Sequence, residues 1–217
     1  LDLSRLGALC QARGILLCVD AIQGLGALPF DLAETQADFV VADGHKWMLG
    51  PEGLALLYVR PELRNRLALH QFGWNMVENR GDYDRTDWEP ARSARRFQCG
   101  SPNLLGIHAL EASLSLIEEV GSDWIAAAIA ERVDHLVSRI DRLGLELLSP
   151  RSTDRRAGIV TFRVPGLDSA RLYRGLMERR ILCAHRGGGI RFSPHFYTPI
   201  SVIDRAMDTV VDLARAG

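Results

Sequence analysis

Two apolar runs constrain this chain most: Ile15-Leu16-Leu17-Cys18-Val19 and Phe39-Val40-Val41-Ala42. Each has the length of a strand, lacks the polar alternation of a half-exposed one, and ends in a carboxylate, Asp20 or Asp43. Such runs suit strands buried on both faces of a parallel sheet. Gly24-Leu25-Gly26 and Pro29 break the chain between them, and residues 31–36 read as a short helical turn. Leu54 to Val59 is a third strand, closed by Arg60-Pro61. Strand, crossover, strand places this half in the α/β class, where ligands collect at the carboxyl ends of strands. Asp20 and the segment Asp43 to Lys46 both fall at such ends and can converge. Before the first strand, Leu3, Leu6, Leu9 and Cys10 keep helical spacing, with Asp2 or Ser4 as caps and Arg13-Gly14 as the stop. The chain opens without methionine, inside a helical pattern, as the interior of a longer protein would.

From Arg64 to Arg96 periodicity weakens, and Trp74, Tyr83 and Trp88 stand among glycines, acids and arginines. A loop of that length with that aromatic content predicts a functional or interface role. Order returns at Arg96 to Asn103, which feeds a helix carrying Ile107, Leu110, Leu114 and Ile117. A second helix, with Ser122 as N-cap, carries Ile125, Ile129, Val133, Leu136 and Ile140 on one face. Strands at 145–148 and 159–164, a helix at 169–180, strands at 181–184 and 190–193 and a closing helix at 201–214 complete a small α+β unit. The expected division is residues 1–121 and 122–217.

Of the 217 residues 47% are apolar, enough for one sizeable core or for a large and a small domain. The formal net charge of -1 argues against a nucleic-acid footprint. No apolar run approaches the ~18 residues of a membrane span, and no signal-peptide pattern opens the chain. Cys10, Cys18, Cys99 and Cys183 are scattered without CxxC spacing, as reduced thiols of a cytoplasmic protein are, and form neither a disulfide frame nor a metal site.

Four motifs stand in order: Asp20-Ala21-Ile22-Gln23, Gly44-His45-Lys46, Arg96 to Asn103, and Arg191-Phe192-Ser193-Pro194-His195-Phe196-Tyr197. Together they resemble the class V aminotransferase-fold enzymes that use pyridoxal 5'-phosphate, a group including cysteine desulfurases, selenocysteine lyases and isopenicillin-N-epimerase-like proteins. The resemblance covers essentially the whole chain. It implies part of the large, cofactor-binding domain of the aspartate aminotransferase-like fold in residues 1–121, followed by a C-terminal α+β small domain. It also implies a missing N-terminal portion with the phosphate-cradling loop and the side chain that stacks on the ring.

The resemblance assigns roles. Lys46 would hold the cofactor as a Schiff base and shuttle the substrate α-proton. Asp20 would pair with the pyridine nitrogen, Gln23 with the phenolic oxygen, and His45 would lie near the phosphate or Schiff base. Ser101 would reach the phosphate of a neighbouring subunit, implying a homodimer with shared sites. Arg191 would grip the substrate carboxylate with a planar fork. Two departures stand out. Position 43 is commonly a phosphate-binding serine or threonine; here Asp43 would repel that anion and is expected to point elsewhere, as a cap or as a partner for an arginine. The interval Ala184 to Ile190 lacks the loop cysteine of desulfurases, and Cys183 falls in the expected strand 181–184, where a thiol is inert. Transamination, epimerisation and lyase chemistry on an amino acid or amine remain open. So do a desulfurase or selenocysteine lyase without a loop cysteine, and a non-catalytic scaffold, which Lys46, Asp20 and Arg191 argue against.

Overall fold

A computed structural model describes residues 1–216. The chain forms two compact units, one of residues 1–26 and 30–119, the other of residues 27–29 and 120–217.

In the first unit, helix α1 (Leu3–Ala12) is capped by Asp2, whose carboxylate accepts from Arg5 N at 2.9 Å. Strand β1 is only Cys18–Asp20, shorter than the apolar run suggested; Ile15 and Leu16 are about half exposed. After the short helix α2 (Leu32–Thr35) come β2 (Phe39–Asp43) and β3 (Ala55–Val59), in the order β1-β2-β3. β1 and β2 are parallel, with Asp20 opposite Val41; β3 runs antiparallel to β2, with Ala55 opposite Asp43. Helix α3 (Leu104–Val120) follows a long connection. Val19, Val40, Ala42, Met48 and Leu110 form the core, with Leu3, Leu6 and Cys10 of α1 and Leu114 and Ile117 of α3 packed against it. Each such side chain removed from water contributes about 1.5–3 kcal/mol. Side chains alternate along a strand, so Cys18, Asp20, Val41 and Asp43 share the opposite face, where Cys18 and Asp20 are exposed.

The connection from residue 64 to 96 is organised at its base. Val77 and Pro90 form a bridge, and Arg95 donates to the carbonyls of Asn75 and Val77 at 2.7 and 2.8 Å. Its tip lines a cleft of about 350 Å³ with Phe72, Trp74, Tyr83 and Trp88.

In the second unit, α4 (Ser122–Arg142) begins after Gly121, so Ser122 is the first helical residue and not the cap. β4 (Glu146–Leu147), β5 (Val160–Arg163), α5 (Ser169–Glu178), β6 (Ala184–Arg186), β7 (Gly189–Phe192) and α6 (Ile200–Arg215) follow. The sheet has the order β4-β5-β7-β6 and is antiparallel throughout. Phe162 and Phe192 meet edge-to-face at 5.3 Å beneath Ile129, Leu136 and Met207, all buried. The expected strand over 181–184 lies later, at 184–186: Ile181 N still bonds Leu176 O at the end of α5, so the chain leaves the helix before it can pair. Cys183 therefore precedes the strand.

Candidate active site

The lysine turn grows out of the carboxyl end of β2. Gly44 N bonds Leu54 O at 2.9 Å, Gly50 N bonds Gly44 O at 2.8 Å, and Leu49 N bonds Lys46 O at 3.1 Å. A side chain at 50 would crowd the turn, since a Cβ would stand 2.6 Å from the Leu110 side chain and 3.0 Å from Gly44 O. Leu49 adopts a left-handed φ of 59°, a conformation costing about 1–3 kcal/mol that persists only where surroundings hold it. Here Ser113 of α3 donates to Leu49 O at 2.9 Å, and Met48 beside it is buried.

The Asp20 loop is fastened to this turn. Ala21 N bonds Val41 O at 2.8 Å, continuing the β1–β2 ladder past Asp20. Asp20 accepts from Ile22 N at 3.1 Å and its side chain is exposed on the helix-free face of the sheet. The nearly buried Trp47 donates its indole N–H to Gln23 Oε1 at 2.9 Å. An indole only donates, so Gln23 must turn its oxygen to Trp47 and its NH2 group away. Gly26, at φ 87°, lies so close that a Cβ would meet Trp47 O at 2.3 Å.

His45 Nδ1 lies 2.7 Å from Asp43 Oδ1. The neighbouring His45 is the main cause that holds the Asp43 carboxyl below its ordinary range, against a smaller opposing effect of desolvation. Asp43 thus lies against a histidine, as a close contact in which neither Asp43 Oδ1 nor His45 Nδ1 meets hydrogen-bond geometry.

Ser101 is exposed two residues before Asn103, whose side chain caps α3 by accepting from Gly106 N at 3.0 Å. Arg191, in the second unit, stands on β7 opposite Thr161 and Ala184, on the sheet face away from buried Phe162, Ile190 and Phe192. Its Nε is buried without a hydrogen-bond partner, and no carboxylate among the described residues pairs with it. Desolvation pushes the Cys183 thiol up, which keeps it protonated at neutral pH. No cluster of three or more metal-ligating side chains occurs among the described residues.

The structure therefore joins Asp20, Gln23, His45 and Lys46 through two loops of one sheet, while Ser101 and Arg191 sit on other elements. Trp47 and Ser113 hold this arrangement and had no signal in the sequence beyond proximity to the lysine or an apolar helix face.

The aminotransferase class V model matches residues 1–195, and the chain belongs to that family. It is 27% identical to a probable cysteine desulfurase of Pyrococcus abyssi over 228 residues, covering 99% of this chain and 56% of that protein. It is 35% identical to isopenicillin N epimerase of Streptomyces clavuligerus over 213 residues, covering 92% of this chain and 53% of that protein. Among solved structures, the cystine C–S lyase C-DES, in complex with its reaction product cysteine persulfide, matches with a TM-score of 0.88 at 25% identity. That match covers 98% of this chain and 57% of the lyase. The chain thus spans little more than half the length of these relatives.

Proposed function

We propose that the full-length protein is a pyridoxal 5'-phosphate enzyme acting on an amino acid or amine at its α-carbon. The observation that carries this reading is the fastening of the Asp20–Gln23 loop to the Lys46 turn through Ala21–Val41 and Trp47–Gln23. The donor set fits the cofactor. Gln23 keeps an NH2 group without another partner among the described residues, suited to a phenolic oxygen, and Asp20 offers an exposed carboxylate to a pyridinium. When bound, the cofactor supplies an electron sink for charge developing at the α-carbon. Lys46 would attach it and carry the proton to and from that carbon. Asp20 would keep the ring nitrogen protonated, Gln23 would orient the ring, and Ser101 would reach a phosphate from a second subunit. Arg191, with its unpartnered buried Nε, suits a substrate carboxylate, since a planar guanidinium binds one with two parallel bonds. In this reading residues 1–121 belong to the cofactor-binding domain and 122–217 to a small domain. The enzyme is a cytoplasmic homodimer, in keeping with its four free thiols. No described helix is long and apolar enough to cross a membrane.

The test is a panel of amino acids and amines added to the cofactor-loaded full-length protein. Conversion of the cofactor to its amine form, or loss of the substrate α-proton to solvent, by some members is expected. A loaded enzyme that exchanges no α-proton with any of them would contradict the reading.

Sulfur release by a desulfurase or selenocysteine lyase without a loop cysteine is the second reading, favoured by the likeness to a cystine C–S lyase. The protonated, half-buried Cys183 is then a bystander. Cys183→Ser should leave any sulfide release from cystine or cysteine intact, and loss of that release would make Cys183 a participant.

A further inference from the structure

We propose that Ser113 is a positioning residue for Lys46: its hydroxyl holds the left-handed backbone at Leu49 that closes the lysine turn. The proposal rests on the pyridoxal phosphate reading and adds to it a group on α3 that none of the four motifs contains. Leu49 has a φ of 59°, where a Cβ crowds the following carbonyl and which glycine alone visits freely. From that conformation Leu49 N donates to Lys46 O at 3.1 Å, and Gly50 N, next in the chain, donates to Gly44 O at 2.8 Å. The two bonds enclose Lys46, so the course of its backbone depends on Leu49 keeping an unfavoured shape.

Helix α3 supplies the hold. Leu110 and Ser113, three positions apart, share a face of the helix. Leu110 is buried, and a Cβ at Gly44 would come within 3.2 Å of its Cδ1, so the helix is seated closely on the turn. That seating brings Ser113 Oγ to 2.9 Å from Leu49 O. A hydroxyl has one proton to give, and a second carbonyl is in reach, Ala109 O of the same helix at 3.0 Å. Ala109 lies inside α3, where its carbonyl already accepts the N–H of residue 113 in the helical ladder. No backbone N–H among the described residues donates to Leu49 O. Leu49 O is therefore the acceptor that needs the proton. Without the hydroxyl, that carbonyl is left unpaired and the strained residue loses its one bond to the helix. The turn then relaxes, and Lys46 with it.

The experiment uses full-length protein stripped of cofactor and follows the lysine-linked visible band as pyridoxal phosphate is added. In Ser113→Ala the rate at which the band forms should fall about fivefold, the equivalent of one hydrogen bond. Alanine suits a helix interior better than serine, so the variant is expected to fold, which a thermal melt checks. Ser113→Thr, which keeps a hydroxyl, should restore most of the rate. Leu49→Gly, whose backbone takes this φ freely, should make Ser113→Ala nearly silent when the two are combined. An unchanged rate in Ser113→Ala, even with a lowered melting temperature, would reduce Ser113 to a structural residue and overturn the proposal. An equal loss with and without Leu49→Gly would also overturn it, since the effect would not pass through Leu49. A wild type that forms no lysine-linked band would instead contradict the cofactor reading on which the proposal stands.

Discussion

At position 47 an indole N–H can only donate, and its bond to Gln23 decides that the amide turns its oxygen to Trp47 and its NH2 group away. Trp47→Phe removes the donor and part of the buried ring, leaving Gln23 free to flip. The expected result is a fall of several-fold in affinity for pyridoxal phosphate, with stability reduced by more than the roughly 1 kcal/mol of one partly buried hydrogen bond, because the smaller ring also leaves a cavity. Equilibrium dialysis and thermal melts of the variant check both. Unchanged affinity would remove Trp47 from the site. The places of Asp20 and Lys46 at strand ends were legible in the sequence, because Asp20 closes one strand-length apolar run and Lys46 lies three residues beyond Asp43, which closes the other; strand ends are where such sheets bind ligands. Trp47 was not, because periodicity reports which face a side chain occupies on a regular element and is silent within a turn. The neighbour of Asp43, His45 at 2.7 Å, was not legible, because contacts within a turn follow no period.

At the scale of elements, burial sets which expectations held. The runs at 15–19 and 39–42 read alike, yet β2 pairs with β3 along its whole length and with β1 over Phe39 to Val41, while β1 is paired on one side and over three residues only. Apolar character alone does not separate a strand from the extended lead-in at Ile15 and Leu16. The same ambiguity placed a strand at 181–184, where the end of α5 still holds Ile181. The long amphipathic helices were the most legible elements, because α4 repeats its buried positions over many turns. Between α4 and α6, His135 and Arg139 approach Asp204 Oδ1 at 2.8 and 3.5 Å. The hydrogen bond from His135 chiefly lowers the Asp204 pKa, with smaller contributions from Arg139 and Arg142. A carboxyl depressed in the folded state adds stability that is present above its unfolded value and lost as pH falls through the folded one. Melting temperature should therefore drop on acidification below about pH 4, the ordinary aspartate range. Asp204→Asn should flatten that drop while lowering stability at neutral pH. An identical acid profile in the variant would show that this pair does not link the helices.

At the scale of the whole molecule, the chain spans 53–57% of its compared relatives, and the site residues it holds come from several elements. Asp20, Gln23, His45 and Lys46 lie on two joined loops of a single sheet, whereas Ser101 is exposed ahead of α3 and Arg191 stands on β7 with a buried Nε that lacks a hydrogen-bond partner. The connection from 64 to 96, unreadable by periodicity, is pinned by Arg95 through backbone carbonyls that no side-chain pattern encodes. It presents Phe72, Trp74, Tyr83 and Trp88 to solvent. The central claim remains that Lys46 attaches a pyridoxal cofactor. The most direct measurement is the visible absorbance of the full-length protein loaded with pyridoxal phosphate and freed of excess, beside that of Lys46→Ala prepared in the same way. The account predicts a coloured wild type whose colour survives dialysis and a variant that loses the lysine-linked band. A colourless wild type, or a variant with the same band as wild type, would contradict it.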